Sequence, residues 1–348
     1  MKIVVDNKIP YIHEEIKKIA DDVVYLPAQE FTAESIKDAD VLIIRTRVKC
    51  NRELLEGSKV QFIATATIGF DHIDTAYCAQ HGIAWSNAPG CNANSVQQYI
   101  ASTLILLKQH YWTCFKGLTL AVVGVGHVGS KVVDLAKDLG LRVLMNDPIR
   151  ALHEEDFEHT DLSLIQEQAD IITFHVPLSE QGEYPTYHLV DEDFLNQLKR
   201  KPILINTSRG SVIDNKALLV ALQEEKIHQA VLDVWENEPE INLSLLEAVF
   251  LGTPHIAGYS ADGKAKASEM ALKAVVDYFG LAVQIHIEPP TPISSIITAH
   301  SQEQALLQIY DPSIDSKALK ANPAKFEWFR GSYPIRRESK AFTIQINN

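Results

Sequence analysis

The stretch that most constrains this chain is Leu118 to Gly129, LTLAVVGVGHVG. Leu118 to Val123 reads as a buried strand and runs straight into Gly124-Val125-Gly126-His127-Val128-Gly129. A helix-like run, VGSKVVDLAKDLG, follows, and then a second strand, Leu141 to Asn146, that ends on Asp147. Strand, Gly-x-Gly-x-x-Gly, helix, strand and acid together suit a dinucleotide. Gly124 permits a sharp turn, Gly126 a close approach of backbone to a pyrophosphate, and Gly129 close packing of helix on strand. The pyrophosphate would rest on the N–H groups of the first helical turn, where His127 and Val128 lie. Asp147, 18 residues after Gly129, stands where an acid accepts hydrogen bonds from the adenosine ribose. A carboxylate there repels a 2′-phosphate, so NAD rather than NADP is the expected cofactor.

The chain has 348 residues, long for a single core, and two or three domains are expected. A net charge of −13 argues against nucleic acid or an anionic membrane as the main partner, yet leaves room for a small anionic substrate in a local basic pocket. The charge is uneven. Residues 311–348 carry seven Lys/Arg and four Asp/Glu, a net of +3 against −16 for the rest, which fits a separate terminal module. Cys50, Cys78, Cys91 and Cys114 form no C-x-x-C pair and no cluster with His, so neither a disulfide frame nor a metal site is expected. The opening MKIVVDNKIP lacks the apolar core of a signal peptide, and no 18-residue apolar run occurs. A soluble, cytoplasmic protein is expected.

Apolar runs at Lys2–Val5, Val23–Leu26, Val41–Arg45, Phe62–Thr67 and Ile83–Ser86 alternate with helix-like segments near residues 11–20, 32–37, 51–55 and 73–81. Alternating strand and helix predicts a parallel sheet covered on both faces. This first unit lacks a glycine fingerprint. Residues 94–112 read as a long amphipathic helix leading into the glycine-rich unit, where strands are expected at Leu118–Val123, Leu141–Asn146, Asp170–His175, Ile203–Thr207, Ala230–Val234 and Val249–Ile256. A helix over Ala261–Phe279 is expected to cross back onto the first unit, leaving a cleft between domains. Pro289-Pro290-Thr291-Pro292 reads as a linker. About sixty residues follow, with a strand near Ile293–Ile297, a helix over 302–309 and a strand in AFTIQIN. So small a segment buries little core alone and is expected to dock on something, most simply its copy in a homodimer.

Ligands of a parallel α/β sheet bind at the carboxyl ends of its strands. Arg209 after ILINTS, Asp233 in AVLDVW with Glu238 five residues on, and His255 in LGTPHIAGY all fall at such ends. Each has an ordinary structural reading: a surface ion pair, a solvated loop acid, a structural donor. Together they suit the oxidation of an alcohol. His accepts the hydroxyl proton, a carboxylate on its other nitrogen fixes the tautomer, and a guanidinium grips a neighbouring carboxylate in two-pronged fashion. Arg45 and Arg47 end the third strand, and hydroxyls of Thr46, Thr65 and Thr67 add donors for an anion such as phosphate. Arg336-Arg337 is expected to reach a neighbouring subunit's site.

GVGHVG, the Arg of NTSRG, the Glu of DVWENEP and the His of PHIAG, in that order, resemble the D-2-hydroxyacid dehydrogenases over about residues 1–285. Within that superfamily KIVVDNKIPY, IIRTRVKCN, ATATIGFDHID, NAPGCNA, HIAGYSADGKA and FEWFRGSYPIRRE resemble the erythronate-4-phosphate dehydrogenase family of the vitamin B6 pathway. The resemblance implies Arg209, Glu238 and His255 as the catalytic set, with His255 as proton donor or acceptor. It implies Asp147, Val176, Asp233 and Gly258 at NAD, and Thr46, Thr67 and Tyr259 at the substrate. Thr46 stands where the family is associated with Ser, and Val176 where it is associated with Thr. The expected fold is α/β: two doubly wound parallel-sheet (Rossmann/flavodoxin-like) domains plus a small C-terminal α+β dimerisation domain. The expected bounds are 1–94 with 265–285 for the substrate domain, 95–264 for the NAD domain and 286–348 for the C-terminal domain. The expected reaction is NAD-dependent oxidation of 4-phospho-D-erythronate at C2. The alternatives are another D-2-hydroxyacid substrate such as 3-phosphoglycerate, or a non-catalytic NAD-sensing corepressor-like protein.

Overall fold

Continuous branched apolar runs become strands buried on both faces. In the computed structural model, which describes residues 1–347, β1 (Lys2–Asp6), β2 (Asp22–Leu26), β3 (Val41–Ile44), β4 (Phe62–Thr65) and β5 (Ala84–Ser86) form one parallel sheet in the order β2-β1-β3-β4-β5. Successive side chains of a strand point to opposite faces. Ile3 and Val5 therefore join one apolar cluster and Val4 the other, which is why alternation with polar residues is missing here. The helix Ala261–Phe279 covers one face, with Ala265, Leu272 and Val275 in the cluster that holds Ile3 and Val5. Its start is set by Ser260, whose Oγ accepts the Gly263 N–H at 2.8 Å. Its end is Gly280, at φ +62°.

The second sheet is built from β6 (Thr119–Val123), β7 (Arg142–Asn146), β8 (Ile171–Phe174), β9 (Ile203–Asn206), β10 (Gln229–Leu232) and β11 (Leu251–Gly252). All pairings are parallel, in the order β11-β10-β9-β8-β6-β7. The order reverses at β6, with β7 on one side and β8 on the other. That is the switch point where such sheets hold ligands. The helix Ala93–Tyr111 packs Tyr99, Ile100, Leu104 and Leu107 into the cluster formed by Leu120 and Val122.

The chain divides into two compact units, one of Met1–Asn92 with Ser260–Ile293, the other of Ala93–Tyr259 with the residues from Ser294 onward. The C-terminal segment thus packs on the glycine-rich unit. Leu319 and Phe326 enter its apolar cluster, Ser102 Oγ donates to the Tyr310 carbonyl at 2.7 Å, and the Gly252 N–H donates to Ser316 Oγ at 3.0 Å. The segment holds β12 (Ile296–Ala299) and β13 (Thr343–Ile346), paired in parallel, and the helices Gln302–Ile309, Pro312–Ala321 and Phe326–Gly331. Among the described residues no helix is long and apolar enough to cross a membrane, and no group of His, Cys, Asp and Glu is arranged to hold a metal.

One expected strand differs. Val249–Ile256 contains only the two strand residues of β11. Pro254 has no N–H for a ladder, His255 turns to φ +58°, and the backbone beyond is drawn onto Asp233.

Candidate active site

The loop after β6 is shaped by two close approaches. A Cβ on Gly129 would lie 2.0 Å from the Gly124 carbonyl oxygen, so the helix His127–Asp138 sits directly on the turn. Gly126 faces open space with nothing within 4 Å, and no side chain caps the helix that starts behind it. A cradle with unclaimed first-turn amides is what a pyrophosphate needs. Asp147 closes the pattern. Its Oδ2 accepts the Val125 N–H at 2.9 Å and its Oδ1 accepts the Arg150 N–H at 3.0 Å, which pins the acid beside the loop. Arg150, the nearby cation, donates Nη1 to the Val125 carbonyl at 2.7 Å and pairs Nη2 with Glu154 at 2.5 Å. Its guanidinium is occupied by these two partners, and the donor set fits NAD. Val176 follows β8, and its Cγ1 would lie 2.7 Å from a Cβ on Gly124. His127 and Val128 occupy the first turn of the helix.

Beyond β10 the chain builds a second constellation. The His255 Nδ1 shares a hydrogen bond with Glu238 Oε2 at 2.8 Å, which leaves Nε2 as the nitrogen for proton exchange. The carboxylate is held from behind, because Glu238 Oε1 accepts the Trp235 N–H at 2.9 Å. Burial pushes the Glu238 carboxyl up. The hydrogen bond and charge of His255, the Trp235 N–H and the Arg330 guanidinium together outweigh it and hold the group below its usual range. His255 sits at φ +58°, a strained region for a non-glycine residue. Asp233 maintains that turn. Its Oδ1 accepts Thr253 Oγ1 at 2.6 Å and the Ile256 N–H at 2.8 Å, and its Oδ2 accepts the Ala257 N–H at 2.8 Å. Gly258 and Tyr259 follow directly in the same loop.

Arg209 is tied to this region through its neighbour. A Cβ on Gly210 would lie 2.0 Å from the Trp235 carbonyl, so the chain after β9 runs against the loop that carries Glu238. Asn206 Nδ2 donates to the Arg209 carbonyl at 2.9 Å, and Arg209 Nη1 to the Ser208 carbonyl at 2.9 Å.

On the first unit, Arg45, Thr46 and Arg47 follow β3, and Thr67 follows β4. Arg45 Nη1 donates to the Lys8 carbonyl at 2.7 Å. The Thr67 hydroxyl lies 2.7 Å from that of Thr65, which is 3.0 Å from His72 Nε2.

Two residues at these sites are not singled out by the sequence, and a third sits elsewhere than expected. His175 after β8 is held by Thr173 at 3.0 Å, and burial pushes its imidazole down to about 3, so it stays neutral and is unsuited as the base. Arg330 reaches Glu238, its Nη1 lying 3.9 Å from Oε2. Arg336 is 6% exposed inside its own unit, donating Nη2 to the carbonyl of Ala257 at 2.5 Å and lying 4.2 Å from the Tyr310 ring centroid. The expected reach of Arg336 to a neighbouring subunit therefore gives way to a contact with the loop behind His255. Only FEWFRGSYPIRRE hints at these arginines, and no spacing rule says where such a segment docks.

Residues 95–257 match the family of D-isomer specific 2-hydroxyacid dehydrogenases, NAD binding domain. The erythronate-4-phosphate dehydrogenase of Bacteroides thetaiotaomicron is 57% identical over 344 residues, 99% of each chain. The chain belongs to the erythronate-4-phosphate dehydrogenase family. The Porphyromonas gingivalis protein of the same name is 44% identical over 352 residues, 99% of this chain and 95% of that one. Among solved structures, D-lactate dehydrogenase from Aquifex aeolicus, complexed with NAD and lactic acid, superposes with a TM-score of 0.68 at 27% identity, over 80% of this chain and 96% of that one. An NAD⁺-bound 3-phosphoglycerate dehydrogenase from Entamoeba histolytica gives 0.69 at 26%, over 82% and 98%. This member of the erythronate-4-phosphate dehydrogenase family is an NAD-dependent dehydrogenase on the D-2-hydroxyacid dehydrogenase fold.

Proposed function

We propose that the protein oxidises 4-phospho-D-erythronate to 2-oxo-3-hydroxy-4-phosphobutanoate in the route to pyridoxal 5′-phosphate. The observation that carries the mechanism is the Glu238–His255 pair, 2.8 Å apart on a strained turn held by Asp233. Bound at the glycine loop, NAD would supply the hydride acceptor for C2. His255 Nε2 takes the proton of the C2 hydroxyl as the C–O bond becomes a carbonyl. Glu238 fixes the ring's tautomer and offsets the positive charge His255 gains. Arg209 grips the substrate carboxylate in a bidentate fashion and orients C2.

The NAD contacts proposed are the amides of Gly124, Gly126, His127, Val128 and Gly129, the Asp147 carboxylate, the backbone of Val176, and Gly258. Asp233 Oδ2 takes one donor within the protein and keeps acceptor capacity for a second, proposed to be the carboxamide. Arg45, Thr46, Arg47, Thr67 and Tyr259 are the proposed substrate ligands, with the two arginines suited to the phosphate. The protein is proposed to be cytoplasmic and to form a homodimer through its C-terminal segment, whose two-stranded sheet leaves Ile296 and Ile346 exposed.

The test offers the purified protein 4-phospho-D-erythronate, D-3-phosphoglycerate or D-lactate, each with and without a 2-oxo acid to re-oxidise NADH. Consumption confined to the erythronate phosphate is the expected result. Preference for either other acid overturns the substrate, and silence on all three with NAD bound favours the sensor reading.

A further inference from the structure

The helix Phe326–Gly331 of the C-terminal segment carries a cation to the proposed proton-exchange pair. Arg330 Nη1 lies 3.9 Å from Glu238 Oε2, the same oxygen that meets His255 Nδ1 at 2.8 Å. The guanidinium also hydrogen-bonds the Tyr259 side chain, and its Nη1 is 3.2 Å from Glu327 Oε1 on its own helix. It therefore meets two groups of the proton-exchange loops and is itself mostly buried. Its Nε has no hydrogen-bond partner. A buried guanidinium with an unused donor is a poor stabiliser of a fold, which points to a role beyond packing.

The chemistry supplies one. The proton cycles on and off His255, so the Glu238–His255 pair alternates between no net charge and one negative charge. In the second state a largely buried carboxylate would lack a counter-charge, and it would be free to take up a proton or rotate away. A permanent cation beside Oε2 prevents both. Two docking contacts fix the helix that bears it, since Phe326 lies in the apolar cluster that holds Leu204 and Leu232, and Phe329 packs against that cluster.

We propose that Arg330 is a positioning residue, which keeps Glu238 ionised and aimed at His255 in both proton states, so that the C-terminal segment completes the proton-exchange site of its own chain. The proposal rests on the roles given above to Glu238 and His255.

The test is a double-mutant cycle on the full-length enzyme with NAD, reading kcat for 4-phospho-D-erythronate with a 2-oxo acid acceptor. Arg330→Gln is expected to lower kcat ~10- to 100-fold in the parent and less than ~3-fold in a Glu238→Gln background, because the arginine acts through that carboxylate. Arg330→Lys, which keeps the charge, is expected to recover most of the loss. NAD affinity, read by quenching of protein fluorescence, is expected to stay the same in all variants and reports that they fold. An equal loss in both backgrounds, or no loss in the parent, overturns the role of Arg330 alone. Full turnover in Glu238→Gln itself overturns the underlying mechanism and this proposal with it.

Discussion

The two parallel sheets share an arrangement and differ at one point. In the first, β1 lies between β2 and β3; in the second, β6 lies between β7 and β8. Both therefore have a switch point of the kind that holds ligands. In the first sheet it is closed. Arg45 at the end of β3 donates to the Lys8 carbonyl just beyond β1, and Asp6 Oδ1 accepts the Lys8 N–H at 2.8 Å. In the second it is open, with three glycines, an uncapped helix and open space at Gly126. The same sheet arrangement thus carries two different strand ends, and a few residues past the first strand make the difference. The acids show the same divergence. Asp6 turns inward onto its own loop, while Asp147 holds the edge of an open cradle.

Two substitutions, one in each sheet, test this contrast most strongly. Gly126→Ala places a Cβ in the cradle with no protein atom within 4 Å of it, so NAD affinity is expected to fall ~100-fold while the thermal midpoint of the NAD-free protein stays near the parent value. Arg45→Ala opens the first switch point, and it is expected to raise KM for the phosphorylated substrate ~10-fold with NAD affinity unchanged. Calorimetric titration with NAD and steady-state kinetics measure both. A loss of NAD affinity in Arg45→Ala would erase the distinction between the sheets.

A smaller effect separates the two sheets by pH. Desolvation pushes the imidazole of His175, just after β8, down to about 3 in the folded protein, against ~6.5 in an unfolded chain. Between these values the unfolded chain binds a proton that the folded one does not, so stability falls as pH drops from ~6.5 toward ~3. His175→Asn is expected to flatten that part of the acid limb, measured by urea unfolding at several pH values. His72 is only partly buried beyond the end of β4 and bonds Thr65, so His72→Asn is expected to change the slope less.

Much of the fold is legible in the amino-acid sequence. Strand runs fall within a residue or two of their expected places wherever continuous apolar stretches carry the signal, and Ala261–Phe279 begins and ends as its cap and glycine indicate. The open glycine loop with Asp147 beside it, and the pairing of Glu238 with His255, are legible because short motifs at strand ends carry them. What stays hidden depends on distant packing. β11 reads as longer because Thr253 to Ile256 is partly apolar, and Pro254, the left-handed turn at His255 and the hydrogen bonds to Asp233 together bend it away from the sheet. The helix Pro312–Ala321 is too polar to read as a buried element, yet Leu319 on it is fully buried. Arg330 and Arg336 look like ordinary surface cations in a basic segment until that helix and its neighbour dock.

Proton exchange at His255, held by Glu238, is proposed to accompany hydride transfer on the second unit. The most direct measurement mixes enzyme preloaded with NAD with 4-phospho-D-erythronate and follows NADH absorbance in a single turnover, in the parent and in His255→Asn. NADH formation is expected in the parent, at a rate ~10²- to 10⁴-fold lower in the variant, with NAD bound equally in both. Equal rates in the two proteins would contradict it.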